Sequence, residues 1–148
     1  MNSADPICAI LDGDVTLVAM LANYGALPAI FMQDPVPVDA LRPYIASPGD
    51  LARSPLALHM DGTDNPVFDR DIVCISDRNS GPQVNQDIAD RVHALFYRNG
   101  SRTSTPVWAG GGYRLIETDV VAGPVITPTD DTLYGRTITV SLTLVPET

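Results

Sequence analysis

Apolar and hydroxyl-bearing residues alternate near the end of the chain, and this alternation predicts a β-strand over residues 137–144. Ile138, Val140, Leu142 and Leu144 occupy every second position, with Thr or Ser between them. Because residues two apart lie on the same face of a strand, we expect one face to join the core. The hydroxyl-bearing face would then meet water or a partner.

A second pattern, with apolar residues three and four apart, predicts an amphipathic helix after residue 80. Ser80–Gln83 resembles a capping box with Pro82 in the first turn, and Asn99-Gly100 would end the helix. The predicted apolar face consists of Val84, Ile88, Val92, Leu95 and Phe96. The predicted wet face consists of Asn85, Gln86, Asp87, Asp90 and Arg91.

Residues 5–24 also show helical spacing of apolar residues, interrupted by Gly13 between two aspartates. We expect two short helices here, with Asp5 capping the first, Asp12 or Asp14 capping the second, and Tyr24-Gly25 closing the segment.

Four further strands and a closing turn follow from β-rich runs bounded by Pro and Gly. The predicted strands are Ala29–Met32, Pro43–Ala46, Val67–Ser76 and Tyr113–Val121, with a possible short strand at Leu56–Met60. Apolar residues on both faces of Val67–Ser76 favour a central strand that is buried on both sides. Gly123–Asp131 is the predicted turn of a hairpin formed by the last two strands. These elements predict one α+β domain over residues 1–148, with an irregular insertion at about 47–66. Two helical segments would pack on one face of a mostly antiparallel sheet of four to five strands.

The chain has 148 residues and a net charge of −9, and its nine cations are all Arg. The absence of Lys excludes a Schiff base or a P-loop lysine. A pI near 4.3 argues against a surface that grips nucleic acid. The first residues lack a signal-peptide pattern, and no apolar run reaches the roughly 18 residues that span a membrane. We therefore expect assembly in a cytoplasm and no membrane partner.

Candidate chemistry is sparse. Gly110–Gly112 precedes a strand and lacks the Lys-Ser/Thr of a phosphate loop, which favours a hinge. His59 and His93 stand in no metal-ligand spacing, and His93 is expected to pack at the helix flank. Asp61, Asp64 and Asn65 favour a polar turn over a weak Ca²⁺ site, and Asp130-Asp131 favours a turn.

Cys8 and Cys74 stand in apolar runs and are expected to be buried thiols rather than a disulfide. Overall we predict no catalytic residue, no cofactor site and no metal site, and therefore no enzyme.

The order of these segments resembles the tail-completion (tail-terminator) proteins of long-tailed phages and gene-transfer particles. The matching pieces are Leu11–Asp14, Ile30-Phe31, Pro43–Ile45, Arg70–Ser76, His93–Phe96 and Arg136–Val140. They cover nearly the whole chain, and the similarity is one of architecture rather than of a signature motif.

This resemblance implies a structural virion protein rather than an enzyme. Such proteins form a ring, usually of six subunits, at the head-proximal end of the tail tube, where they end tube polymerisation and join the tail to the head. The implied partners are further copies of the chain, the major tail tube protein and the head connector or neck proteins. DNA would pass through the pore without specific binding, and the expected location is the tail or neck of the virion.

Two alternatives stay open from the sequence. One is a head-completion adaptor or another neck protein of the same kind of particle, which subunit stoichiometry would distinguish. The other is an unrelated small binding domain or enzyme, for which a deep pocket with perturbed titratable groups would be the sign.

Overall fold

A computed structural model describes residues 6–32, 36–47, 52–53, 67–99, 109–110, 113–127 and 129–146. Its α-helices are α1 (Pro6–Asp12), α2 (Val15–Met20) and α3 (Pro82–Phe96). Its strands are β1 (Asn23–Tyr24), β2 (Leu27–Pro28), β3 (Ile30–Phe31), β4 (Tyr44–Ala46), β5 (Ala52–Arg53), β6 (Val67–Asp77), β7 (Ala109–Gly110), β8 (Tyr113–Ile126) and β9 (Leu133–Pro146). Short 3-10 turns, Arg78–Ser80 and Tyr97–Asn99, flank α3.

The main sheet has the strand order β3-β4-β6-β9-β8-β7, and β5 pairs with β6 beside this path. Only β3 and β4 pair in parallel among the described strands of this sheet. The α+β prediction is confirmed, as is the hairpin between the last two long strands, β8 and β9. The described part of this sheet contains seven strands, because several short strands add to the three long ones.

The core lies between the helices and one face of β6, β8 and β9. On β9, Ile138, Val140 and Leu142 are fully buried, as the alternation predicts. They pack in one cluster with Ile88, Val92 and Phe96 of α3 and with apolar residues of α1 and α2. Burial of a large aliphatic side chain contributes about 1.5–3 kcal/mol, so this layer stabilises the fold.

The N-terminal segment splits at Gly13, as predicted, and the Asp14 side chain caps α2 by accepting a hydrogen bond from the Leu17 N–H at 2.9 Å. The proposed cap Asp5 lies outside the described residues. The prediction that Tyr24-Gly25 closes the helical segment is wrong. The backbone becomes extended at Leu21. Strands β1 and β2 then form a hairpin around Gly25, whose φ is +65°.

The predicted helix after residue 80 is confirmed, but the capping box is wrong. Ser80 belongs to the preceding 3-10 turn, and the N-cap is Gly81 at φ +85°, a backbone conformation that favours Gly. Asn85 was wrongly placed on the wet face. It is buried, and its Nδ2 donates to the Cys74 carbonyl at 2.9 Å, so it ties α3 to β6.

The predicted turn over Gly123–Asp131 begins too early, because β8 continues to Ile126. Register shifts around Ala122 mark a bulge, and a bulge accommodates a proline that cannot donate to the ladder. Gly123 has φ +99°, and a Cβ there would lie 2.5 Å from the Thr137 carbonyl oxygen. The Gly-Pro step therefore bends the strand instead of ending it.

A small second cluster covers the β3 end of the sheet. It contains Phe31 and Ala40, with Tyr44 packed against them. The Phe31 ring meets Tyr24 and Tyr44 edge-on, at centroid distances of 5.3 and 5.7 Å. Edge-to-face rings are a favourable aromatic geometry. Ala40 and Val36 pack into the same cluster, which anchors the segment 36–43 to the sheet.

The irregular segment predicted at 47–66 lies mostly outside the described residues, as do Leu56–Met60, His59, Asp61, Asp64, Asn65 and Gly111-Gly112. Ser47 is described and buried, and its hydroxyl donates to the Asp71 carbonyl at 2.8 Å. The described pair Ala52-Arg53 extends the sheet as β5.

An ion pair joins the two helical segments and provides a pH test. Arg91 of α3 donates from Nε and Nη2 to the Asp14 carboxylate at 2.8 and 2.7 Å. These hydrogen bonds are the main cause that lowers the pKa of Asp14 from its ordinary 3.8; the Leu17 N–H and the guanidinium charge add to it, and partial burial opposes it. A lowered folded-state pKa gives stability that is present above pH 3.8 and lost as pH falls through the folded value.

We expect Asp14→Asn to keep the cap but lose this charge pair. Because Arg91 is about one-third exposed, the free energy of unfolding near neutral pH should fall by only about 0.5–1 kcal/mol. That difference from wild type should shrink below pH 3.8 in urea titrations. Asp90→Asn, on the exposed face of α3, is the charge-matched control. A constant difference across this pH range would contradict the assignment.

Candidate interaction surface

The sheet has a face turned away from the helices, and two rows of acids border a row of hydroxyls on it. Residues Thr137, Thr139, Ser141 and Thr143 of β9 alternate with the buried positions and are half-buried. We call the set Asp69, Asp71, Glu117, Asp119, Thr137, Thr139, Ser141 and Thr143 the acid–hydroxyl face.

Strand register assembles this surface from three separate stretches of sequence. Ser141 pairs with Asp69 of β6 on one side and Asp119 of β8 on the other. The neighbouring Thr139 pairs with Asp71, and its hydroxyl donates to the Asp71 Oδ1 at 2.6 Å. The rows therefore bring acidic and hydroxyl side chains together across β6, β9 and β8.

Several arginines of the described chain make contacts elsewhere. Arg91 binds Asp14, and Arg42 binds Asp77 at the end of β6. Arg70 lies on the helix side of β6, is buried, and donates to the Ser47 carbonyl. Arg114 lies near one end of the acid–hydroxyl face, where it pairs with Val145. A surface with this composition accepts hydrogen bonds and repels phosphate groups.

Sequence patterning did not single out these acids, although the signal was present. In Val67–Asp77, acidic residues 69 and 71 alternate with Phe68, Arg70 and Ile72, which is the period of a strand with unlike faces. We interpreted that strand as apolar on both sides. Its central position in the sheet is confirmed, but its first half presents acids on the open side.

The residues singled out for chemistry are not brought together. His93 is half-buried and stacks on Tyr97 with a centroid distance of 5.2 Å. Asp130 forms the predicted turn, where it accepts from the Thr132 N–H at 2.8 Å. The two Thr132 bonds are the main cause that lowers the pKa of Asp130. Gly110 lies in β7, the last strand in the described order of the sheet.

Within the described ranges, no group of three or more His, Cys, Asp and Glu side chains is placed to hold a metal ion. In the same part of the chain, no helix is long and apolar enough to cross a membrane.

Both cysteines are free and buried, as expected. Burial raises the pKa of the Cys74 thiol to about 12. Since the thiolate is the reactive form, neither cysteine should be alkylated by iodoacetamide in the native protein, and both should react in urea. Mass spectrometry of the two samples measures this. Labelling of Cys74 in the native protein at the urea rate would contradict its burial.

The fold is similar to that of a chain in the solved structure described as "Virion of native gene transfer agent (GTA) particle". The TM-score is 0.64 at 20% sequence identity, over 93% of this chain and 90% of that chain. At this identity the similarity concerns the fold. No family model matches the chain, and no curated protein sequence matches it.

Proposed function

We propose that this chain is a structural protein of a phage-like or gene-transfer particle, and not an enzyme. The observation that supports it is the shared fold with a chain of a gene-transfer-agent virion, extending over 93% of the sequence. The order of segments that resembles tail-completion proteins points in the same direction. The particle would contain the protein as one of its assembled components.

More narrowly, we propose a tail terminator. Copies of the chain form a ring, most simply of six, on the head-proximal end of the tail tube. The ring ends tube polymerisation and provides the docking surface for the head connector. Its protein partners are the major tail tube protein and the neck proteins.

Removal of the gene from the producing cell tests this role. We expect tubes of uncontrolled length and heads without attached tails in electron micrographs, both restored by the wild-type gene. Averaged images of complete particles should show about six copies at the tube end. Normal tails in the deletion strain would refute the proposal, whereas a twelvefold ring at the head portal would favour the head-completion adaptor.

The acid–hydroxyl face suggests how such a ring lets DNA pass without binding it. We propose that this face lines the channel, since like charge keeps the phosphate backbone from adhering. Asp71 is exposed and Asp69 half-buried, so both are available to that surface. The net charge of −9 per copy supports the same arrangement.

Charge reversal on this face provides the measurement. Asp69→Arg with Asp71→Arg should leave particle assembly intact but lower DNA delivery, on the order of tenfold at low salt, with recovery as salt screens the new cations. The matched control is Asp87→Arg with Asp90→Arg, two exposed acids on the helical layer. Equal DNA delivery by both double variants would argue against a channel position for the acid–hydroxyl face.

A further inference from the structure

Strand β8 presents a long outer edge on the side away from β9. Among the described strands, only β7 pairs with this edge, and it does so at Tyr113 and Arg114. The edge then continues beyond that pairing from Leu115 to Ile126. An edge of this length offers backbone N–H and C=O groups to a strand of another molecule, and folded proteins block such edges with charges, prolines and bulges.

The strand register identifies the residues of β8 whose backbone groups point outward. The Thr127 N–H donates to the Gly135 carbonyl at 2.8 Å, so the backbone groups of Gly135 point to β8. Because this direction alternates along a strand, the backbone groups of Ser141 also point to β8, and those of its partner Asp119 point to β9. The next residue, Val120, therefore directs its N–H to the outer edge.

The Asp119 carboxylate lies where a neighbouring strand would have to bind. Its Oδ1 accepts from the outward Val120 N–H at 2.8 Å and from the Arg98 N–H, in the 3-10 turn after α3, at 3.1 Å. Asp119 stands opposite Ser141 in the register of the acid–hydroxyl face, but its carboxylate thus reaches round the edge of the sheet. It satisfies the outward donor and places a negative charge beside it.

Two further features interrupt the same edge. Val125 pairs with Thr137, whose backbone groups point to β8, so the preceding Pro124 stands at an outward position, where it has no N–H to donate. The register shifts on both sides of Ala122 also break the regular spacing of the outward groups. Of these three blocks, the Asp119 cap is the one that depends on a side chain alone.

We infer that Asp119 prevents the outer edge of β8 from pairing with β8 of a second copy. A second copy is the partner to be excluded, because two such edges can pair antiparallel about a twofold axis, each offering the same residues. Residues 120–126 contain no ionisable group, so the carboxylates of Asp119 supply the repulsion between two approaching edges at this point. The inference goes beyond the proposed function, since pairing at this edge would join copies in any assembly.

Substitution of Asp119 tests the block. Asp119→Ala removes the cap and the charge together, so its self-association constant should exceed that of wild type at least about tenfold in analytical ultracentrifugation. Asp119→Asn retains an oxygen that accepts from the same N–H groups and should stay within about threefold of wild type. Glu117→Ala is the charge-matched control, because it removes one acid from an exposed position of the same strand.

Amide hydrogen exchange at Val120, followed by NMR, measures the edge directly. Exchange should be slow in wild type and in Asp119→Asn, in which the side chain at 119 bonds the N–H. It should be faster in dilute Asp119→Ala and slow again in concentrated Asp119→Ala, because the N–H then pairs with the second copy.

Three results would overturn the inference. The first is an Asp119→Ala chain that associates like wild type. The second is association of Asp119→Asn or Glu117→Ala to the extent of Asp119→Ala. The third is exchange of the Val120 amide in wild type at the rate of an unprotected amide. This last measurement needs no variant, so it decides the matter even if Asp119→Ala does not fold.

Discussion

The two-residue period of β9 is the constraint on which the rest of the structure depends. This strand pairs with β6 on one side and β8 on the other, so its alternation is imposed on both neighbours. Ile138, Val140 and Leu142 must face α3 to complete the core. A slip of one residue would move them to the open side and place Thr and Ser beneath the helices. The apolar core thus determines which polar groups gather on the acid–hydroxyl face.

The distribution of charge follows from the same division into layers. Arg91 and Arg42 are engaged in ion pairs, and Arg70 is buried on the helix side of β6. Asp69 and Asp71 of β6 and Glu117 of β8 lie across the sheet from the helices, beside neutral hydroxyls. Asp119 of β8 instead accepts a hydrogen bond from the Arg98 N–H in the 3-10 turn after α3. Individual surface ion pairs contribute little stability, about 0–1 kcal/mol. Their larger consequence is electrostatic, because cations held in these contacts leave the open side with a predominantly acidic character.

Sequence patterns predicted the elements whose residues follow one period without interruption. The β9 strand and the α3 helix are of this kind, and Gly13 between two aspartates marked the point where the first helical period breaks. Predictions failed where tertiary contacts overrode local preference. Pro124 suggested a turn, but a bulge accommodates it within β8. Asn85 suggested a solvent-exposed position, but its side-chain amide donates a hydrogen bond to the Cys74 carbonyl of β6. The acid–hydroxyl face required the register of three strands, and the β6–β9 part of this register depends on pairings between residues about seventy positions apart.

Cyclic symmetry connects the two surfaces of this sheet. In a ring, every copy has the same orientation relative to the axis. The central strands β6 and β9 carry acids and hydroxyls on one side and the helical core on the other. The acid–hydroxyl faces of all copies would then occupy equivalent positions around the ring. A charge that is modest on one copy would repeat at each of these positions, so the repulsion of phosphate groups by the sheet face would grow with the number of copies.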